Sequence, residues 1–266
     1  MLGISVSAVI ASTGRVSLKN AIASALAQTY PLKEIIVVLN GQENFQTLIE
    51  RLRSDNRLIF IQQKYAGVSA ARNAGIRAAT GDFVAFLDDD DSWYPNKTEI
   101  QINKNLGQNA DILSCRAHFE GKTNKIRPNL LLENIDLLSK IYGQKFPFTR
   151  KYGIPTSSVL VRTQLAKSFP FDENLSERED LWFFHTLLKN GGKICQLPDT
   201  LLKYNARKPF TDRNVTLDAD LEWFSKLQDV KKNLGWSFLL SIGMRNRIAA
   251  GKPFSAVKLF YLALKR

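Results

Sequence analysis

The sequence predicts an α/β fold, doubly wound around a mostly parallel central sheet, with a helical C-terminal appendage. Three observations carry that expectation. Short β-branched runs alternate with apolar residues at helical spacing through residues 4–87. The breaks between them fall at turn residues such as Asn40-Gly41 and Thr80-Gly81. One strand then runs straight into four aspartates, at the carboxyl end where such sheets bind ligands.

Residues 4–10 (ISVSAVI) read as a buried strand and 11–15, with Gly14, as a loop. Residues 16–28 read as a helix, because Val16, Ile22, Ala23 and Leu26 recur at helical spacing and Thr29-Tyr30-Pro31 stops them. Strands are predicted at 34–39, 57–62 and 82–87, with helices at 44–53 and 68–79 between them. A helix at 97–107 and a strand at 111–119 follow. Residues 120–153 read as irregular, 156–162 (TSSVLVR) as a strand and LWFFHTLLKN as a helix. There is no repeat and no Gly/Ser/Pro linker. The expected division is a catalytic unit over 1–215 and a basic helical appendage over 216–266.

Composition excludes several classes. The 266 residues hold 37 Lys+Arg and 25 Asp+Glu, for a net charge of +12, and 44% are hydrophobic. The core can be large enough to need no staple, and two cysteines, Cys115 and Cys195, argue against a disulfide scaffold or a Cys-based zinc site. No apolar run reaches the roughly 18 residues of a spanning helix. No basic region precedes Leu2–Ala11, so that stretch reads as a strand and not as a signal peptide. The expected location is cytoplasmic, peripheral on the inner face of the membrane if the tail binds lipid.

Eight of the twelve net positive charges lie in residues 231–266, which contain no acid. Val257, Phe260, Tyr261 and Leu264 share a helical face there. Cations beside such a face suit an anionic bilayer; equally, the helix can pack on the core behind a solvated basic rim. Both readings stand at this level. No helix-turn-helix or RNA-binding signature accompanies the charge, so nucleic acid is not expected as a partner.

Asp88-Asp89-Asp90-Asp91 is a charge run of a kind that is usually a solvated turn. Its place at a strand's end favours a site. Hard carboxylate oxygens suit Mg²⁺ or Mn²⁺, with a diphosphate and water completing the shell. Such a cation would neutralise charge on a departing nucleotide diphosphate.

The strings AVIASTGR, ALAQTYPLKEIIVVLNG and YAGVSAARNAGIRAATGDFVAFLDDDDSWYPNK resemble the catalytic domain of family 2 glycosyltransferases, inverting enzymes of the GT-A fold that use nucleotide sugars. The resemblance is close over residues 4–97. It resumes at TSSVLVR and at SEREDLWFFHTLLKNGGKI (176–194). It implies a GT-A, Rossmann-like, nucleotide-sugar-binding domain, a divalent metal cofactor and a glycan or lipid-linked saccharide as acceptor. Asp88, Asp89 and Asp90 fall on the family's DxD motif: Asp90 as metal ligand, Asp88 and Asp89 on the nucleotide-sugar side, with Asp91 behind them. Arg72 in ARNAG is expected to face the nucleotide, and Ala11 and Thr13 the nucleoside. Glu179-Asp180 matches the ED motif, with Asp180 as the general base that an attacking hydroxyl needs. Without the resemblance, these two acids would simply suit a helix N-terminus.

Two positions depart from the family pattern. Where many members carry two acids after the second strand, this chain has Leu39 and Asn40, so Asn40 is the expected contact to the base. A UDP-sugar is the expected donor on family prevalence, ahead of dTDP or GDP. Where a YRxH pattern is frequent, the chain has Tyr204-Asn205-Ala206-Arg207, and Arg207 is the expected diphosphate contact. Trp93 and Trp182 flank the two acidic motifs, as sugar-pocket walls or as core. His185 reads as packing. The competing functions are a sugar-phosphate nucleotidyltransferase, whose Gly-rich phosphate loop ASTGR matches poorly, and a non-catalytic basic binding module.

Overall fold

The computed structural model describes residues 3–41, 45–52, 55–64, 67–120, 124–132, 137–142, 153–205, 216–249 and 251–265. Its first half follows the alternation in the sequence: β1 (Val6–Ser12), α1 (Leu18–Leu26), β2 (Glu34–Asn40), α2 (Gln46–Leu52), β3 (Leu58–Gln63), α3 (Gly67–Ala78) and β4 (Phe83–Asp88). The four strands lie side by side in the order β3-β2-β1-β4, all parallel. Every residue of β2 is buried, as a strand covered on both faces must be. Alternate residues of β1 divide the core: Val9 packs with Ala71 and Ile76 of α3, whereas Ala8 and Ile10 pack with Leu18 and Ala21 of α1.

Beyond β4 come β5 (Ser92–Trp93), α4 (Lys97–Asn105), β6 (Ile112–Glu120), β7 (Lys125–Arg127), α5 (Leu137–Tyr142), β8 (Leu160–Arg162), α6 (Thr163–Ser168), α7 (Glu179–Lys189) and β9 (Ile194–Asn205). Here the pairing is mixed. β8 runs antiparallel to β4 and β6, β9 runs parallel to β6, and β5 runs antiparallel to β9. Parallel pairing thus holds through the first four strands and again between β6 and β9, with β5 and β8 running antiparallel.

Three local readings change. The strand expected over 156–162 opens as a 3₁₀ turn at Thr156–Ser158, and only Leu160–Arg162 pairs as β8. The Ser157 hydroxyl is drawn away to Asp91, the kind of side-chain bond that competes with a ladder. The helix expected to reach 107 ends at Asn105, whose side chain bonds both the N–H and the carbonyl of Ala110. β9, twelve residues long, has no counterpart in the sequence reading. Pro198 interrupts its pattern, and its pairing with β6 shifts register beside Arg116.

The C-terminal helices are α8 (Leu217–Val230), α9 (Lys232–Phe238), a π-helical turn (Leu239–Gly243), α10 (Met244–Ala249) and α11 (Pro253–Ala263). One continuous apolar cluster joins Phe86 of β4 and Phe183 of α7 to Trp223, Phe238 and Leu259. The face expected from Val257, Phe260, Tyr261 and Leu264 is not the inward one. α11 buries Ala256, Leu259 and Ala263, half-buries Phe260, and leaves Val257, Tyr261 and Leu264 exposed. No described helix is long and apolar enough to cross a membrane.

Candidate active site

The carboxyl ends of β1, β2 and β4 form one edge. Ala11 stands between Val38 and Asp88 in the ladder, and Asn40 lies opposite Gln63. An open cavity of about 720 Å³ at the ends of β2 and β3 is lined by Gly41, Gln62, Gln63 and Lys64. Thr13 is exposed in the loop that leaves β1. Asn40 is buried: its amide donates to the Gly67 carbonyl at 3.0 Å and receives Gln63 at 3.5 Å. That ties β2 to the start of α3.

The four aspartates have four different surroundings. Asp89 is buried, accepting from the Ser12 hydroxyl at 2.6 Å and from Arg15 at 3.2 Å. Asp91 is buried too. It accepts from Ser157 at 2.6 Å and from the Asn205 backbone at 2.9 Å, thereby holding the end of β9. Burial, reinforced by the Asp88 charge, pushes its carboxyl up to about 8. Asp88 and Asp90 keep 32% and 26% of their side chains in solvent. Asp90 has a long contact to Arg15 at 3.4 Å. Among the described residues no three His, Cys, Asp or Glu side chains are gathered as a closed metal cage. Two open, hard-oxygen carboxylates fit a cation that takes one or two protein ligands and fills its shell from phosphate and water.

Arg72, expected to face a nucleotide, is buried and spends both terminal nitrogens on carboxylates. It donates to Asp88 and to Glu179, each at 2.8 Å. One guanidinium thus joins the acidic run after β4 to the acidic pair opening α7, and the two motifs meet in one place. The neighbouring Asn73 fixes the approach to that pair. Its side chain bonds the N–H and the carbonyl of Phe171, both at 2.9 Å, and reaches Glu173. Phe171 in turn stacks on Phe183 of α7 with ring centres 3.8 Å apart.

Asp180 is half-buried beside Glu179, with Oδ1 accepting the Leu181 N–H at 2.7 Å. Enclosure of the carboxylate by protein, then the Glu179 charge, push its carboxyl up to about 6, against a counter-pull from Arg72. That is a range suited to a base at neutral pH. Arg178, just before the pair, has a left-handed backbone at φ 62°, an uncommon conformation for a residue with a Cβ. Trp93 is core: its indole N–H donates to the Ser157 carbonyl at 2.7 Å, and Lys97 lies over its ring. Trp182 is half-buried against Trp223 and Lys226, and His185 is buried beside it. Arg207 lies outside the described residues.

Four contributors were missed in the sequence. Ser12 and Arg15 lock Asp89, Ser157 joins Asp88 to Asp91, and Arg178 carries the strained turn. Ser12 and Arg15 had a signal, their place in the loop after the first strand. Ser157 and Arg178 had none without the fold.

The family described as Glycosyl transferase family 2 matches residues 7–169. The protein WfgD of Escherichia coli, named UDP-Glc:alpha-D-GlcNAc-diphosphoundecaprenol beta-1,3-glucosyltransferase, is 30% identical over 211 residues, covering 76% of this chain and 77% of that protein. An uncharacterized glycosyltransferase of Rickettsia bellii is 34% identical over 169 residues, 60% of this chain. The match spans only 23% of that relative's length. Among solved structures, S. aureus TarS 1–349 superposes with a TM-score of 0.71 at 18% identity, over 98% of this chain and 79% of that one. The same protein in complex with UDP-GlcNAc gives 0.66 at 15% identity, over 92% and 73%. At these identities the likeness is one of fold.

Proposed function

The chain belongs to glycosyl transferase family 2, and on that premise we propose that it moves a sugar, with inversion, from a nucleotide-diphosphate donor to the hydroxyl of a lipid-linked or surface glycan. The observation that carries this reading is the Arg72 bridge, which ties Asp88 to Glu179, the neighbour of Asp180. Single displacement needs a leaving-group side and a base side facing each other across one carbon. The acceptor oxygen bonds to the anomeric carbon as the bond to the diphosphate breaks. The electron pair leaves on the diphosphate, and the hydroxyl proton passes to Asp180.

Asp90, helped by Asp88, would hold Mn²⁺ or Mg²⁺. That cation, when bound, supplies positive charge against the diphosphate. Ala11 and Thr13 would border the nucleoside, and the cavity beside Asn40 would take the base. Arg207 and Arg15 are proposed diphosphate contacts. UDP is the proposed carrier, supported by the UDP-glucose in the name of WfgD and by the UDP-GlcNAc complex of TarS. A lipid-linked acceptor is supported by the diphosphoundecaprenol in the former name. Such an acceptor lies at a membrane, and the exposed stripe of α11, flanked by Lys258 and Lys265, is the proposed contact with its inner, anionic face.

The test mixes the protein with Mn²⁺ and UDP-, dTDP- and GDP-sugars, reading binding and nucleotide release with a diphospholipid-linked saccharide as acceptor. A UDP-sugar is the expected substrate. No binding or turnover of any donor, with Asp90→Asn equal to the native chain, defeats the proposal.

A further inference from the structure

The C-terminal helices reach the catalytic pair through three buried charges. Asp220 of α8 accepts Arg178 on Oδ1 at 2.7 Å, and two nitrogens of Arg247 from α10 on Oδ2, at 2.6 and 3.1 Å. All three residues are buried. Arg247 is further fixed to the Thr216 carbonyl and the Ser255 hydroxyl, at 2.9 and 2.8 Å. The Arg178 guanidinium lies 4.8 Å from the centre of the Phe238 ring of α9. Helices α8 and α9 therefore meet the Arg178 side chain directly, and α10 reaches it through Asp220.

That side chain sits at a sensitive place. Arg178 is the residue before Glu179-Asp180, its backbone is left-handed, and its carbonyl accepts the Trp182 N–H at 3.1 Å to start α7. The first turn of α7, which carries Asp180, can keep its aim only while Arg178 keeps that conformation. A left-handed arginine persists only where its surroundings over-determine it. Among the described residues, two of its buried nitrogens, Nε and one terminal NH, have no hydrogen-bond partner, and Asp220 is its anionic anchor. An ion pair that leaves donors unsatisfied is a poor stabiliser of the fold as such; what it does supply is a fixed geometry.

We propose that Arg178, Asp220 and Arg247 form a clamp through which the C-terminal helices hold the Glu179-Asp180 turn in its catalytic orientation, making all three positioning residues. The inference rests on Asp180 being the base. It assigns the C-terminal segment a part in turnover that is separate from any lipid contact by α11.

The experiment compares the full chain with Asp220→Asn, Arg247→Lys and Asp180→Asn. Hydrogen exchange needs no substrate. In Asp220→Asn, amides 179–183 exchange at least tenfold faster, while those of β1 and β4 are unchanged. UDP affinity stays within about twofold, and turnover per UDP-binding site, with UDP-glucose or UDP-N-acetylglucosamine, falls at least tenfold. Counting only binding-competent sites removes any loss due to unfolding. Arg247→Lys, which keeps the charge but loses the fork, shows a smaller change in the same direction, and serves if Asp220→Asn does not fold. Native exchange at 179–183, or native turnover per site, in a folded clamp variant overturns the clamp. Native turnover in Asp180→Asn overturns the base assignment instead, and the two failures are read separately.

Discussion

Arg72 donates to Glu179 at 2.8 Å across 107 residues of chain. The pair is the hinge pin of the site, because the other terminal nitrogen of Arg72 holds Asp88. A guanidinium presents donors in a rigid fork, so one side chain can serve two carboxylates that would otherwise repel. The acids expected on the donor side and on the acceptor side are kept a few ångströms apart by this one cation.

Replacing Arg72 tests that relationship. Arg72→Met leaves two facing carboxylates without their cation, at a cost of about 3 kcal/mol, the low end for breaking a buried pair because Asp88 keeps solvent contact. Arg72→Lys retains a charge but has no fork, and recovers stability better than turnover. Urea unfolding with parallel donor-turnover assays checks both; equal recovery of the two would argue for a purely structural arginine.

The raised carboxyl of Asp180 sets a pH dependence. A base must be ionised, so turnover is level above about pH 7 and falls tenfold per unit below the value of about 6. Stability has the opposite sign. A carboxyl held above its unfolded value binds its proton more tightly when folded, so the native state loses stability as pH rises from about 4 through 6. Asp180→Asn removes that loss. Its expected signature is a higher melting temperature than the native chain at pH 8, together with turnover lowered at least about 100-fold. A variant that is both active and no more stable would refute the assignment.

The first half of the fold was legible because each parallel strand is short, apolar and closed by a turn residue. The second half was not. β5 is two residues long, β8 three, and β9 carries Pro198 and a register shift, so their pairing is decided by neighbours and not by pattern. The same divide runs through the site. ARNAG could be singled out as a motif, yet its work is visible only in three dimensions: Arg72 bridges two acids, Asn73 pins Phe171, and Gly75 lets α3 approach β1. On α11 the periodicity was legible but the direction of the face was not. Small Ala256 and Ala263 with Leu259 make the closer fit to the core, leaving the larger side chains outside.

Gly75 makes a sharp packing prediction. A Cβ there would sit 2.3 Å from a Val9 methyl, closer than any real contact. Gly75→Ala forces α3 away from β1, destabilises the chain by about 1–3 kcal/mol, and displaces Arg72 less than one turn earlier on the same helix. Val9→Ala in the same chain reopens the space. Partial recovery of both stability and turnover in the double variant, followed by thermal melts and initial rates, is the expected outcome.

For the proposed cation, Asp90 and Arg15 give opposite expectations. Asp90→Asn removes an open carboxylate and lowers Mn²⁺-dependent turnover at least about 100-fold, from several kcal/mol of lost charge stabilisation. Arg15→Ala frees Asp90 and Asp89 of a half-exposed cation, so Mn²⁺ binds at least as tightly while UDP binds more weakly. Calorimetric titration of Mn²⁺ and of UDP, alone and together, separates the two. Equal UDP affinity with and without Mn²⁺ in the native chain would remove the metal from the proposal.

The stripe on α11 is tested with lipid vesicles. Phe254 is 88% exposed, and Val257, Tyr261 and Leu264 follow it along one side of the helix. The opposite side is fixed to the core by Leu259, so the helix cannot turn these residues inward. Because all four lie in solvent, replacing Phe254, Val257 and Leu264 with Ser leaves stability within about 0.5 kcal/mol per site. If the stripe enters an anionic surface, the triple variant loses at least tenfold in partitioning onto phosphatidylglycerol vesicles. Reversing Lys258 and Lys265 to Glu removes two attractions of about 1 kcal/mol each, a loss of roughly 30-fold or more, and does so only on anionic lipid. Co-sedimentation across lipid charge and salt reads both. A native chain that binds neutral phosphatidylcholine as well as anionic vesicles, or binds neither, would leave α11 without its proposed role.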